Sequence, residues 1–131
     1  MKGLDTPVLL KLLRGEPAAR TLLRSLQGEE LATTEWNFLE LEALAKLDST
    51  PGRERRRAAL EKLRRRLTVL SLDERAVEAA AHQLGRVHHA RELIGAAVLA
   101  TLESRGCTDI YTAGNSLARS AIKTRIHFHD V

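Results

Sequence analysis

The chain has 131 residues, a formal net charge of +4, 44% hydrophobic residues and 29% charged residues. These values are ordinary for a globular protein and predict a single domain over residues 1–131. Aromatic residues make up only 3%, which argues against an aromatic platform that stacks the bases of single-stranded nucleic acid. The single cysteine, Cys107, excludes an internal disulfide and a zinc site built from several cysteines.

The sequence carries no sign of membrane insertion or secretion. Its apolar runs are far shorter than a membrane span, and Met1 leads into no signal-peptide pattern. We therefore expect a cytoplasmic protein without membrane contact.

Apolar periodicity, prolines and glycines divide the chain into alternating strands and helices. Pro7 suits the first turn of the first helix, and Gly15 suits its end. The predicted elements are a strand at 2–5, helices at 7–15 and 17–27, a strand at 30–34, a helix capped by Thr33 or Thr34, a helix from Pro51, a strand at 68–72, helices from 74 and over 90–106, a strand at 109–112, a turn and short helix at 113–122, and a strand at 125–130. This order predicts an α/β fold with three layers, in which a mostly parallel central sheet of about five strands carries helices on both faces.

Polar residues follow several of the predicted strands. In a parallel sheet, ligands bind beyond the carboxyl ends of the strands. Asp5 and Thr112 stand at such ends, and the pair Thr33 and Thr34 leads into the helix that carries Glu40.

The sequence allows two interpretations of Asp5. It can cap the following helix, which is a common role for aspartate, or it can bind a metal ion. Glu40 lies among positions expected to be apolar, and a buried carboxylate must pair with a cation. Two carboxylates meeting at one sheet edge suit Mg²⁺ or Mn²⁺, although Glu40 could instead pair with an arginine.

The run from Arg53 to Arg66 carries eight basic residues in fourteen positions. Glu54 and Glu61 interrupt it, so part of the charge can be balanced by pairing within one helix. The run is therefore either a solvated helix face or a stripe that attracts phosphates.

Three segments resemble the motifs of the PIN domain family, to which the VapC toxin ribonucleases belong. LDTPVLLKLLRG at 4–15 resembles the opening motif, a strand ending in Leu-Asp-Thr before an apolar helix. LATTEWNFLELEALA at 31–45 resembles the second motif, with Asn37, Glu40 and Leu41 in its Asn-x-x-Glu-Leu pattern. ELIGAAVLATLESRGCTDIYTAGN at 92–115 resembles the third and fourth motifs, a small-residue helix and a strand ending in Tyr-Thr.

The resemblance implies a metal-dependent ribonuclease, the toxin of a VapBC-type toxin–antitoxin pair. It implies Mg²⁺ or Mn²⁺ as cofactor, RNA as substrate, an antitoxin as protein partner, and a homodimer. The catalytic and metal-binding residues implied are Asp5, Glu40 and Glu92, with Thr6, Asn37, Thr112 and Asn115 as supporting polar residues. The apolar parts of the helices at 7–26 are candidate contacts for the antitoxin or for a second copy.

Two residues of this set, Glu92 and Asn115, have alternative interpretations. Glu92 can be a surface helix residue with a local pair, and Asn115 can be a turn or helix cap. A PIN-like domain with a degraded catalytic site would act as a protein- or RNA-binding module. A general nucleic-acid binder would instead use the Arg53–Arg66 run alone, without any need for metal.

Overall fold

The computed structural model describes residues 1–46, 52–83, 90–114, 116–117 and 122–131. Its elements are, in chain order, β1 (Lys2–Leu4), α1 (Thr6–Leu13), α2 (Pro17–Ser25), β2 (Leu31–Thr34), α3 (Glu35–Lys46), α4 (Arg53–Arg66), β3 (Thr68–Leu70), α5 (Glu74–Gln83), α6 (Ala90–Ser104), β4 (Asp109–Thr112) and β5 (His127–Asp130). None of the described helices is long and apolar enough to cross a membrane.

The five strands form one sheet in the order β3-β2-β1-β4-β5, and all four pairings are parallel. This confirms the predicted fold class. The chain leaves β1 for β2 on one side and later returns to β4 on the other, so β1 lies where the strand order reverses. Such a reversal opens a crevice at the carboxyl end of the central strand, which here is the position of Asp5.

Helices cover both faces of the sheet and bury two apolar clusters. One cluster joins α1, α3 and the sheet through Val8, Leu9, Phe38 and Leu41. The other centres on α6, whose residues from Gly95 to Leu102 are all buried, as its nearly uniform apolar character predicts. Neighbouring residues of one strand enter different clusters because side chains alternate across a sheet.

The structure differs from the prediction at the end of the first strand and in the segment after β4. The first strand ends at Leu4 and not at Asp5, which becomes the N-cap of α1. The short helix expected within 113–122 is not seen at 113, 114, 116 and 117, of which the last three lie in a turn, and residues 115 and 118–121 lie outside the described residues. The other strands and helices lie within a few residues of their predicted positions.

Candidate metal centre

The centre of the site is the carboxylate of Asp5, which is only 2% exposed. Oδ1 accepts hydrogen bonds from the backbone N–H of Thr6 at 2.8 Å and from Nδ2 of Asn37 at 3.0 Å. Oδ2 accepts one from the Thr112 hydroxyl at 2.7 Å and a second from the Ser116 hydroxyl. All four donors are neutral groups, so they fix the orientation of the carboxylate without cancelling its charge.

The structure confirms the capping role of Asp5, and its metal-binding role stays a prediction. As N-cap it accepts from the first backbone N–H of α1, while its carbonyl oxygen accepts from Val8 and Leu9. Its second carboxylate oxygen faces away from the helix backbone toward β4 and the turn after it. The cap interpretation explains only one of the four hydrogen bonds of the carboxylate.

Asn37 is held in place by a reciprocal cap at the start of α3. The backbone N–H of Asn37 donates to the Thr34 hydroxyl at 3.3 Å, and the backbone N–H of Thr34 donates to Oδ1 of Asn37 at 3.1 Å. This is the capping-box arrangement with asparagine at the third helical position, and of the two predicted caps, Thr33 and Thr34, it identifies Thr34. The Thr34 hydroxyl also donates to the same Oδ1 at 2.7 Å. The amide NH₂ is thereby turned toward Asp5 and Thr6.

Glu40 lies one turn beyond Asn37, on the same side of α3. Partial burial, and secondly the negative charge of Asp5, raise the pKa of Glu40 above its ordinary value. Because the charge of Asp5 opposes the ionisation of Glu40, the two carboxylates lie within electrostatic range of each other. Glu40 is nevertheless exposed at the surface, whereas the sequence predicted burial.

The turn after β4 supplies a residue that the prediction did not include among the site residues. Ser116 bonds Oδ2 of Asp5, and its hydroxyl lies 3.3 Å from that of Thr112. A serine in the polar turn TAGNS gives no stronger signal than its neighbours. Asn115, which was predicted for this position, lies outside the described residues.

Glu92 lies in the first turn of α6 and is half-buried. Gly95, one turn later, packs so closely on the turn after β4 that an added Cβ would lie 2.3 Å from the carbonyl oxygen of Leu117. Glu92 thus belongs to a helix that touches the segment carrying Ser116. Within the described part of the chain, however, no three His, Cys, Asp or Glu side chains form a group that could hold a metal ion. A metal site formed by Asp5, Glu40 and Glu92 therefore stays a prediction.

The donor set suits a hard divalent cation better than a soft one. Asp5 and Glu40 offer carboxylate oxygens. The hydroxyls of Thr112 and Ser116 contact Asp5, and that of Thr6 accepts from the Asn37 amide that also contacts Asp5. Partial burial, and secondly the charge of Asp5, raise the pKa of Glu40, and a cation bound nearby would favour its ionised form. Oxygen ligands of this kind fit Mg²⁺ or Mn²⁺.

The basic helix α4 is mostly exposed, which agrees with the predicted solvated face. Some of its charge is already paired. Arg64 makes two contacts with the Glu35 carboxylate at 3.1 and 3.2 Å and lies 4.9 Å from the centre of the Phe38 ring. Arg65 and Glu61 lie 3.9 Å apart on the same helix. Both interpretations of this run therefore stay open.

Comparison with known proteins bears on the fold. VapBC2 from Rickettsia felis, solved with a DNA fragment from its promoter, has a TM-score of 0.77 at 12% identity, covering 99% of this chain and 98% of that one. VapBC-5 from Mycobacterium tuberculosis has a TM-score of 0.70 at 22% identity, with 99% and 98% covered. VapC20 from the same organism, a toxin that cleaves the sarcin-ricin loop, has a TM-score of 0.68 at 15% identity, with 94% and 97% covered.

These similarities show a shared fold. No curated protein sequence matches the chain significantly. The model of the PIN domain family matches residues 3–123, which include Asp5, Glu40, Glu92 and the end of β4. This chain belongs to the PIN domain family.

Proposed function

We propose that this protein is a metal-dependent endoribonuclease that hydrolyses RNA phosphodiester bonds and is the toxin of a VapBC-type pair. The observation that carries the proposal is the Asp5 carboxylate, buried at the carboxyl end of the central strand beside Glu40. Membership of the PIN family and the likeness to chains of VapBC complexes support it.

In this proposal Asp5, Glu40 and Glu92 hold Mg²⁺ or Mn²⁺. When bound, the ion supplies an activated water and stabilises the charge that develops on the scissile phosphate. Asp5 is the best prepared of the three, because four donors hold its two oxygens in one orientation. Preorganised ligands lower the cost of assembling a site when the ion and substrate arrive.

Asn37, Thr112 and Ser116 act as positioning residues for Asp5. Asn37 links the α3 cap to the Asp5 carboxylate. Its amide oxygen accepts hydrogen bonds from Thr34, and its NH₂ group donates to Asp5. Thr112 ties the same carboxylate to the end of β4. Partners of this kind set the orientation and basicity of metal-binding carboxylates.

An antitoxin and a second copy of the chain are the proposed protein partners. Among the residues that the structure describes, the large exposed apolar side chains are Leu39 and Leu44 on α3, Val77 on α5 and Leu93 on α6. Among the leucines of α1 and α2, which the sequence suggested as contacts, Leu9 is fully buried and the others are half-buried. We therefore expect apolar contacts to involve α3, α5 and α6 more than the first two helices.

The second candidate is a PIN-like binding module with a degraded catalytic site. The observation that favours it is the lack, among described side chains, of a third acid grouped with Asp5 and Glu40. Such a module would bind its RNA or protein partner without hydrolysis. It differs from the nuclease in one measurable respect, since divalent cations would not enable cleavage.

The deciding experiment is cleavage of RNA by the purified protein with Mg²⁺ or Mn²⁺, comparing wild type with Asp5→Asn. Asparagine still caps helices well, so the variant should fold, as its thermal unfolding curve can check. Glu42→Gln is the matched control, because it removes a carboxylate from an exposed position of the same helix as Glu40. The nuclease predicts loss of cleavage in Asp5→Asn and normal cleavage in Glu42→Gln. Equal cleavage by all three proteins would refute it, and no cleavage by wild type would favour the binding module.

A further inference from the structure

A cavity of about 460 Å³ lies far from the carboxyl ends of the strands. It is bounded by the second half of α2, the loop into β2, the start of that strand and the last residue of α4. The candidate metal centre lies where β2 ends, so the two sites occupy opposite edges of the sheet. The lining residues are Arg20, Leu23, Arg24, Leu26, Gln27, Gly28, Glu29, Leu31 and Arg66.

Three arginines line this cavity, Arg20, Arg24 and Arg66. Among the described side chains, none of the three makes an ion pair, and Glu29 is the single acid in the lining. The cavity therefore carries a formal charge of about +2 beside an apolar floor of leucines.

Some basic residues outside the cavity are already paired with carboxylates. Lys2 is bound to Asp109 at 2.7 Å, and Arg64 is bound to Glu35. The cavity arginines are exposed and have their donors available. Guanidinium groups bind phosphate oxygens with two parallel hydrogen bonds, which suits them to a phosphate ligand.

We propose that this cavity binds a backbone phosphate of the RNA substrate, at a site separate from the acidic centre. The inference rests on the proposed function for the identity of the ligand. Carboxylates at the catalytic edge repel the RNA backbone, so a substrate needs cationic contacts elsewhere on the protein. The three arginines supply such contacts. Gly28 adds room, because no atom lies within 4 Å of the position its Cβ would take.

The test measures binding of a labelled single-stranded oligoribonucleotide by fluorescence anisotropy, in EDTA and with the Asp5→Asn protein so that no cleavage occurs. The pocket variant carries Arg20→Gln, Arg24→Gln and Arg66→Gln. The control carries Arg55→Gln, Arg57→Gln and Arg65→Gln, which removes the same charge from exposed positions of α4. Thermal unfolding checks that both variants fold.

The pocket variant should bind RNA about tenfold more weakly. The slope of log K against log salt should fall by about 0.7, which is the contribution of the one phosphate that the cavity no longer neutralises. The control variant should show a smaller decrease in affinity. An unchanged slope in the pocket variant, or equal decreases in both variants, would overturn the inference.

Labelled oligoglutamate distinguishes a phosphate ligand from an acidic peptide. It should bind weakly and equally to wild type and pocket variant. Pocket-dependent binding of oligoglutamate without pocket-dependent binding of RNA would overturn the phosphate assignment in favour of an acidic peptide.

RNA cleavage by the wild type separates failure of this site from failure of the proposed function. If wild type cleaves RNA while the pocket variant binds RNA normally, the phosphate site alone is refuted. If wild type neither binds nor cleaves RNA, the proposed function is refuted with it.

Discussion

The hydroxyl of Thr112 donates a 2.7 Å hydrogen bond to Oδ2 of Asp5, joining two residues that lie 107 positions apart. Both groups are almost fully buried, and each follows or ends a strand at the same edge of the sheet. The bond connects the first and fourth motif segments of the chain. It exists because β1 and β4 are neighbouring parallel strands, with Leu4 in register with Tyr111.

Replacing Thr112 with valine removes this donor while keeping the shape of the side chain. We expect metal-dependent cleavage to fall about 10–100-fold, because a positioning partner of a metal ligand is removed. The free energy of unfolding should fall by about 1–3 kcal/mol. Thr101→Val is the matched control: its hydroxyl is equally buried but donates to the Ala97 carbonyl within α6. If both variants cleave RNA equally well, Thr112 does not position the site.

Gly95→Ala tests whether α6 must pack closely on the turn that carries Ser116. In an open helix this substitution would stabilise the protein by about 1 kcal/mol. Here the added Cβ would lie 2.3 Å from the Leu117 carbonyl oxygen and 3.0 Å from the Ile122 side chain. We expect a loss of about 1–3 kcal/mol in a urea unfolding experiment, together with weaker cleavage. A stabilised variant would show that the turn can move aside without cost.

The free energy of unfolding should depend on pH through the carboxylate of Asp109, which links β1, β4 and β5 by its hydrogen bonds. Hydrogen bonds from Lys2, Thr108 and His129 hold the pKa of Asp109 well below its ordinary value. Folding therefore stabilises its ionised form, and this contribution is fully present above about pH 4 and disappears as the pH falls further.

Asp109→Asn should accordingly lower the free energy of unfolding by about 1 kcal/mol at neutral pH, and the difference from wild type should shrink below about pH 4. Urea unfolding at several pH values measures this. Asp73→Asn is a useful contrast, because Asp73 bonds only a backbone N–H at the start of α5 in the described structure. A difference between Asp109→Asn and wild type that stays constant down to low pH would contradict the assigned cause.

Cys107 should resist thiol reagents in the folded protein. Its side chain is only 4% exposed, and burial raises the pKa of its thiol to about 11. About a thousandth of the thiol is then ionised at pH 8, and access is blocked as well. Iodoacetamide should modify the native protein far more slowly than the urea-unfolded protein, as mass spectrometry can follow. Rapid modification of the native protein would mean that this part of the core opens readily.

Local sequence patterns predicted the fold class and the positions of Asp5 and Thr112 in the candidate site. Alternating strands and helices predicted the parallel sheet, because apolar periodicity reports which faces of each element are buried. Asp5 and Thr112 were recognisable because each follows or ends a strand, and such ends converge in a parallel sheet. The Thr34 cap was also predictable, since capping depends on residues only three positions apart.

The tertiary structure alone decided which polar groups share the site. Ser116 contacts Asp5, and the amide of Asn37 turns toward it, because loops and helices from distant parts of the chain pack around β1. The arginine cavity likewise brings α2 together with the end of α4: Arg24 and Arg66 both line it, although they lie 42 positions apart in the sequence. No local pattern encodes such contacts, since they depend on how separate elements pack. The sequence therefore determined the elements and the position of Asp5, and the packing determined the partners of that carboxylate.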